Sequence, residues 1–457
     1  LAIRETDKRS LSESKELTMT IRFENGIVAT LGKNNRVLWN ATVVTDGERV
    51  AAIGPAAEMA ERFPDAESVD CSGKIILPGF ICTHHHFYST MARGMAPPGE
   101  PASNFVEILE RLWWKLDAAL FEEDITLSAQ IPLIECIRNG TTTIIDHHAS
   151  PGHRDGSLDQ IEDAVRQAGL RASLCYEVSD RNKPGAGIAE NERFIKKIGQ
   201  GDGQIAAMMG LHASFTVSDE TLEKCVGIAK DAGVGCHIHV AEDAADRQDS
   251  LDKYGMPTVN RLHSAGVTGE KSIFVHCVHI DEAEMDILAD TKTIVVHNPE
   301  SNMNNAVGVT KLLTMLGKGI LVGLGTDGMS SDMLSQMRCA YLLHRLDNRD
   351  PRVAFMEAPQ LLIQNNPEIC EQQFGVRLGE ISEGGVADLA ILDYYPPTPL
   401  SADNFLGHLI FGLVDATVDT TVCRGEILMK GKQILTLDEE RIAARSRELA
   451  PKMWTRL

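Results

Sequence analysis

Between residues 75 and 378 the chain repeats one pattern, a short aliphatic run followed by an amphipathic stretch, and this alternation leaves few folds open to it. Apolar runs of this length between helical patterns read as buried parallel strands joined by crossover helices. Eight runs can be counted, at residues 75–82, 142–146, 171–178, 205–211, 235–240, 272–278, 293–297 and 320–325. Between them lie stretches with helical spacing, including PASNFVEILERLWWKLDAAL, DQIEDAVRQAG, SDETLEKCVGIAKDAG and SSDMLSQMRCAYLLHRLD. Eight parallel strands with their helices close on themselves, so the expected fold is an α/β (β/α)₈ barrel of the TIM type spanning residues 75–378.

The flanks follow a different rule. Residues 19–74 and 379–435 alternate aliphatic and polar side chains over short stretches, as in TIRFENGIVATL and VDTTVCRGEILMKGKQIL. Both ends are expected to join in one composite β-sandwich domain beside the barrel. Residues 436–457 return to helical spacing and read as a C-terminal packing helix, while residues 1–18, ahead of Met19, read as a flexible leader or an expression artefact.

Charge narrows the partners. With 44 basic against 65 acidic side chains, the formal charge of -21 repels phosphate backbones and anionic membrane surfaces, which excludes nucleic acid and membrane as partners. The ten cysteines are scattered singly without a CxxC pair, as in a reducing compartment. No stretch has the apolar core of a signal peptide or the length to span a bilayer, so the expected location is cytoplasmic. Trp113 and Trp114 are adjacent on an expected outer helix, where only one can face a given neighbour. An aromatic left outside marks a contact surface, and a homo-oligomer is expected from it.

In a parallel barrel the chemistry projects from the C-terminal ends of the strands. Here those ends read CTHHHFYS, IIDHHASP, GLHAS, HIHVAED, VHCVHI, VVHNP and GTDG, and they hold most of the fifteen histidines. Alternate residues on a strand share a face, so His84 and His86 can bind one ion while His85 points away. A single HxH is more often a packed turn, but the other strand ends outweigh that reading. His239, nearer the barrel mouth than His237 on the same face, supplies a third nitrogen, and Asp327 supplies an oxygen. Three histidines and an aspartate suit one divalent metal ion, Zn²⁺ or Fe²⁺, with a position open for water.

Other strand-end residues have less specific roles. Glu242, three residues past His239, places a carboxylate near the ion. His276 reads either as a proton shuttle or as a residue that holds a ligand in place, and His212 has the same ambiguity. Of His147 and His148, one reaches the pocket or both pack; His148 is taken as a substrate contact. His297 lines the pocket or braces its loop, and it too is taken as a substrate contact.

Taken together, PGF before HxH, the HVAE string, the strand-six histidine, HNPxSN and GTDG resemble the amidohydrolase superfamily. The branch is that of the aminohydrolases, which includes guanine deaminase, the S-adenosylhomocysteine and methylthioadenosine deaminases and the triazine hydrolases. Within it the strings HFYS, LWWKLDAAL, DHHASP, SNMNNAVG and PTPLSADNFLGH are most similar to the SsnA-like group, whose name carries no settled reaction. The resemblance implies metal ligation by His84, His86, His239 and Asp327, proton transfer by Glu242 and His276, and substrate contact by His212. Strand four, AAMMGLHAS, lacks the lysine that bridges two ions elsewhere in the superfamily, which implies a single ion.

The implied reaction exchanges an amino group for an oxo group on a purine, pyrimidine, pterin or triazine. A metal-activated water attacks the carbon, Asp327 accepts a proton, Glu242 protonates the ring nitrogen and His276 polarises the water or relays protons. Opening of a cyclic amide and displacement of chloride use the same parts. A catalytically silent scaffold is the reading from another class, but silent members lose ligands and all are present here. Substrate choice is expected in the loops SDRNKPGAG and PPGEPASN.

Overall fold

The computed structural model describes residues 19–96 and 99–457, so the leader and the two prolines that open the PPGEPASN loop lie outside the described residues. The eight barrel strands are Phe80–His85, Thr141–His148, Arg171–Tyr176, Ile205–Ala207 continued by Met209–Ala213, Cys236–Val240, Ile273–His276, Ile294–His297 and Val322–Leu324. They are called barrel strands one to eight below. Neighbours pair in parallel throughout. Two isolated parallel bridges, Val178 with Leu211 and His85 with Asp327, close the circle.

The run at 75–82 reads as one strand but forms two. Lys74–Pro78 belongs to the sheet built by the chain ends, and barrel strand one begins only at Phe80. Gly79 is the corner: a Cβ there would stand 2.3 Å from Thr142 Oγ1, so only glycine lets the backbone turn against barrel strand two. Pro78 precedes it at the end of the sheet strand.

Where two packed sheets are expected from the chain ends, one mixed sheet of nine strands forms. Lys74–Pro78 runs down its middle, parallel to Thr20–Ala29 and antiparallel to Leu389–Asp393, so hydrogen bonds join the N-terminal and C-terminal halves directly. Its own small core includes Phe23, Val43, Ile76, Leu389 and Ile391. The helices follow local rules. Asp219–Ala232 starts at Ser218, whose side chain accepts from the Thr221 amide, and stops at left-handed Gly233. Glu282–Asp290 opens with a reciprocal capping box between Asp281 and Glu284. The last helix, Glu439–Trp454, packs beside Glu122–Arg138, and Trp454 Nε1 donates to the Met91 carbonyl at 2.8 Å. Among the described residues no helix is long and apolar enough to cross a membrane.

One buried ion pair ties the sheet to the barrel. Arg171, at the start of barrel strand three, pairs with Asp388, donates to the Gly203 carbonyl at 2.8 Å and reaches Thr143 Oγ1 at 3.1 Å. Asp388 in turn accepts from the Arg424 amide at 2.7 Å. Removing one member of such a pair leaves the other charged and uncompensated. Asp388→Ala is therefore expected to cost about 3–5 kcal/mol of stability, measured by chemical denaturation, with little change in metal content. A loss within the error of wild type would mean that Arg171 finds water or another partner.

Candidate metal centre and pocket

Barrel strands one, five and eight deliver four ligand atoms to one point. The donor atoms of His84, His86, His239 and Asp327 all lie within 4.8 Å of one another. Asp327 Oδ1 is 3.1 Å from both His84 Nε2 and His86 Nε2, and His86 Nε2 is 3.0 Å from His239 Nε2. Each ring is turned by what its other nitrogen meets. His86 Nδ1 donates to the His147 carbonyl at 2.6 Å and His239 Nδ1 to the His212 carbonyl at 2.9 Å, which leaves both Nε2 lone pairs aimed inward. His84 Nδ1 is 2.9 Å from Nε2 of His237, which thus braces a ligand from deeper in the barrel. His85 points outward to Ser331.

The electrostatics ask for one positive charge. Burial holds His84 neutral and pulls His239 down to about 3. Burial works against charge on His86 as well, yet Asp327, Glu177 and Asp146 override it and raise His86 to about 9. Asp327 is buried, which favours its neutral form, but its bonds to His84 and His86 hold it well below the usual carboxylate range. Ser301 Oγ donates to its second oxygen at 2.5 Å. Three inward nitrogens and an ionised oxygen are a donor set that fits a divalent cation.

Backbone strain helps to build the mouth. Asp327 has φ 54°, and at strand six His276 has φ 70°, both in the left-handed region that side chains other than glycine avoid. Close approach matters too. A Cβ on Gly325 would meet Asn298 Oδ1 at 2.4 Å and His84 Cβ at 2.9 Å, so glycine alone lets strand eight lie against the ligand.

Beside the four ligands stands a second group. Glu242 Oε2 is 3.4 Å from His276 Nε2, and Asn305 Nδ2 donates to Glu242 Oε1 at 3.2 Å. Burial raises Glu242 to about 7, against the pull of His276. His276 Nδ1 donates to Asn302 Oδ1 at 2.7 Å, which turns Nε2 toward Glu242. Glu242, His239, Asp327 and His212 line a cavity that opens at the mouth.

Two of the expected substrate contacts lie elsewhere. Neighbours on a strand alternate, so His147 turns into the barrel while His148 turns away to Ser150 Oγ at 2.9 Å and packs beside Tyr176. His297 pairs with His344, 3.1 Å between their Nε2 atoms, and both are buried outside the cavity. Trp113 and Trp114 also differ from the expectation: both line the cavity. The helical stretch Phe105–Ile108, Leu109–Trp113 and Trp114–Ala119 contains a π turn at Leu109–Trp113, whose extra residue shifts the helix phase there. The outer aromatic face from which an oligomer was expected is therefore not formed by these two rings.

Sequence reasoning missed Asp117 and Glu177, which also line the cavity. Glu177 follows barrel strand three directly, so inspection of strand ends for carboxylates as well as histidines would have found it. Asp117 enters from the tryptophan-bearing helical stretch and carries no comparable signal.

The profile of the amidohydrolase family matches residues 75–428, and that of the bacterial imidazolonepropionase-like composite domain matches residues 43–66. The chain is 31% identical over 449 residues to a 5-methylthioadenosine/S-adenosylhomocysteine deaminase of Pelotomaculum thermopropionicum, covering 95% of this chain and 99% of that protein. It is 31% identical over 444 residues to a 5'-deoxyadenosine deaminase of Methanosarcina acetivorans, with coverage of 95% and 99%. Among solved structures, an adenosine deaminase from Xanthomonas campestris with bound zinc superposes with TM-score 0.84 at 24% identity, covering 96% of this chain and 99% of that one. A zinc complex of atrazine chlorohydrolase from Arthrobacter aurescens gives TM-score 0.78 at 23% identity, with coverage of 94% and 100%.

The geometry predicts about one equivalent of divalent metal per chain by elemental analysis. His84→Ala and Asp327→Ala should each lose most of it while far-ultraviolet circular dichroism keeps the barrel signal, because the ligands sit at the mouth and not in the packed core. Two equivalents that both support activity, or unfolding of either variant, would contradict this.

Proposed function

The chain belongs to the amidohydrolase family, and from that premise we propose that it is a zinc-dependent deaminase of an aminated N-heterocycle, with adenine-type nucleosides as the first substrates to test. The observation that carries the reading is the pairing of a four-ligand centre with Glu242, a buried carboxyl at about 7, in one cavity. The relatives named as deaminases of 5-methylthioadenosine, S-adenosylhomocysteine and 5'-deoxyadenosine support the substrate class. The zinc of two structural relatives supports the metal. The strings shared with the SsnA-like group support a place near that group within the family.

His84, His86, His239 and Asp327 would hold the ion, whose chemistry when bound is to lower the pKa of water toward neutrality and polarise it for attack. The residues of the chain do the rest. Asp327, ionised, takes a proton from the attacking water. Glu242, which burial keeps protonated up to about 7, gives its proton to the ring nitrogen next to the attacked carbon. Asn305 fixes Glu242 for that transfer, and His276, turned by Asn302, relays the proton that leaves with ammonia. The balance is water in, ammonia out, and a ring amino group replaced by oxo. His212, neutral through burial and bonded from Nδ1 to Thr216 Oγ1 at 2.6 Å, offers Nε2 to a donor on the substrate. His148 and His297, buried away from the cavity, act by packing.

Opening of a cyclic amide and dehalogenation use the same groups, and the product separates them: ammonia, a ring-opened acid or halide. A screen of aminated heterocycles with zinc-loaded protein should find ammonia release. Glu242→Gln keeps the shape of the side chain and removes its proton. It should retain metal and substrate binding while kcat falls by roughly two to four orders of magnitude. Near-normal kcat with unchanged metal content would remove Glu242 from the mechanism.

A further inference from the structure

The proposed chemistry leaves one wall of the cavity unused. Asp117 and Glu177 line it, 2% and 5% exposed. Glu177 follows barrel strand three, two strands round the rim from Glu242, which follows strand five. Arg181, in the loop SDRNKPGAG, donates Nη2 to Asp117 Oδ2 at 3.1 Å and to Glu177 Oε1 at 2.8 Å. Its Nε donates to Ser179 Oγ at 2.9 Å and its guanidinium lies 4.8 Å from the Trp114 ring centroid. Arg181 does not line the cavity; it lines a separate groove behind it, with Arg154 and Asn182.

The wall is thus built of two carboxyls that share one cation, and burial raises both, Asp117 to about 7. Asp117 Oδ1 is buried with no hydrogen-bond partner. Glu177 is flanked by His147 Nδ1 and His212 Nε2, each at 3.7 Å. The other nitrogens of these rings face the His237 carbonyl and Thr216 Oγ1, so the atoms that face Glu177 carry lone pairs. Among the described residues lining the cavity there is no lysine or arginine, while Asp117, Glu177, Glu242, Asp246 and Asp327 are all there. At this wall an anionic substituent would meet two carboxyls whose one neighbouring cation, Arg181, is already bonded to both.

We propose that Asp117 and Glu177, with Arg181 drawn behind them, form a charge-selective subsite for the substrate's substituent. It takes neutral hydrogen-bond donors such as hydroxyls, or cationic amines, and rejects carboxylates and phosphates. The assignment rests on the deaminase reading only in placing the ring against Glu242. Asp117 Oδ1 accepts the bond that the protein leaves open, and Trp113 and Trp114 cover the apolar part of the substituent.

The test uses full-length zinc-loaded protein and three matched adenosines bearing at the 5' position a methylthio, an aminoalkylthio or a carboxyalkylthio group. Calorimetry gives Kd and ammonia release gives kcat/KM. The carboxylate should bind at least about tenfold more weakly than the neutral compound, and the amine at least as well as the neutral one. Asp117→Asn and Glu177→Gln should each narrow that gap, and either variant carries the test if the other does not fold. Equal Kd and kcat/KM for all three overturns the subsite and leaves the deaminase reading standing. Discrimination in Kd without ammonia release overturns the deaminase reading and leaves the subsite. Preferential binding of the carboxylate, or binding of none of the three, overturns the subsite.

Discussion

The barrel mouth is organised around a charge that the protein alone does not supply. His86 Nε2 and His239 Nε2 stand 3.0 Å apart with their lone pairs facing, and an ionised Asp327 lies against the same point. Such an arrangement is repulsive unless a cation fills it, and the rise of His86 to about 9 expresses that need as an affinity for a proton. A metal ion meets the same need better, because it can be shared by all four donors at once. The outer contacts follow from this demand. The carbonyls of His147 and His212 fix two tautomers, His237 braces His84, and Ser301 supports the free oxygen of Asp327.

The neighbouring Glu242 depends on the same field. It is close enough to Asp327 for the two carboxyls and His276 to form a group of their own within 4.8 Å. Burial with Asp327 nearby disfavours its charge, so one carboxyl is ionised and the other is protonated near neutrality. Two chemically similar side chains are thereby held in opposite protonation states, which is the division that the proposed water addition to a ring carbon needs.

The two ends of the barrel solve opposite problems. At the mouth, left-handed backbone at Asp327 and His276 and unpaired buried atoms such as Asp117 Oδ1 hold groups in costly positions for a ligand. At the other end, a buried charged pair finds its partners within the protein. Arg171, Asp388, Thr143 and the Arg424 amide form a closed network between the first residues of strand three and the chain-end sheet. The sheet, crossed by Lys74–Pro78, thus anchors the start of the barrel.

The repeat of aliphatic runs and amphipathic stretches was enough to read a parallel barrel, because burial on both faces makes such strands apolar and crossover helices one-sided. Strand alternation was enough to group His84 with His86 and to set His85 apart, and position along strand five favoured His239 over His237. These are local consequences of backbone geometry. What the sequence did not carry was phase and convergence. The corner at Gly79 divided an apparently single strand, a π turn brought both Trp113 and Trp114 to the cavity, and His148 and His297 turned to partners outside it. Asp117 and Glu177, 60 positions apart by their numbers, became one wall only because Arg181 binds both. Secondary structure fixes which face a side chain takes, but whether that face meets a cavity, a neighbour or another loop is decided by how distant elements pack.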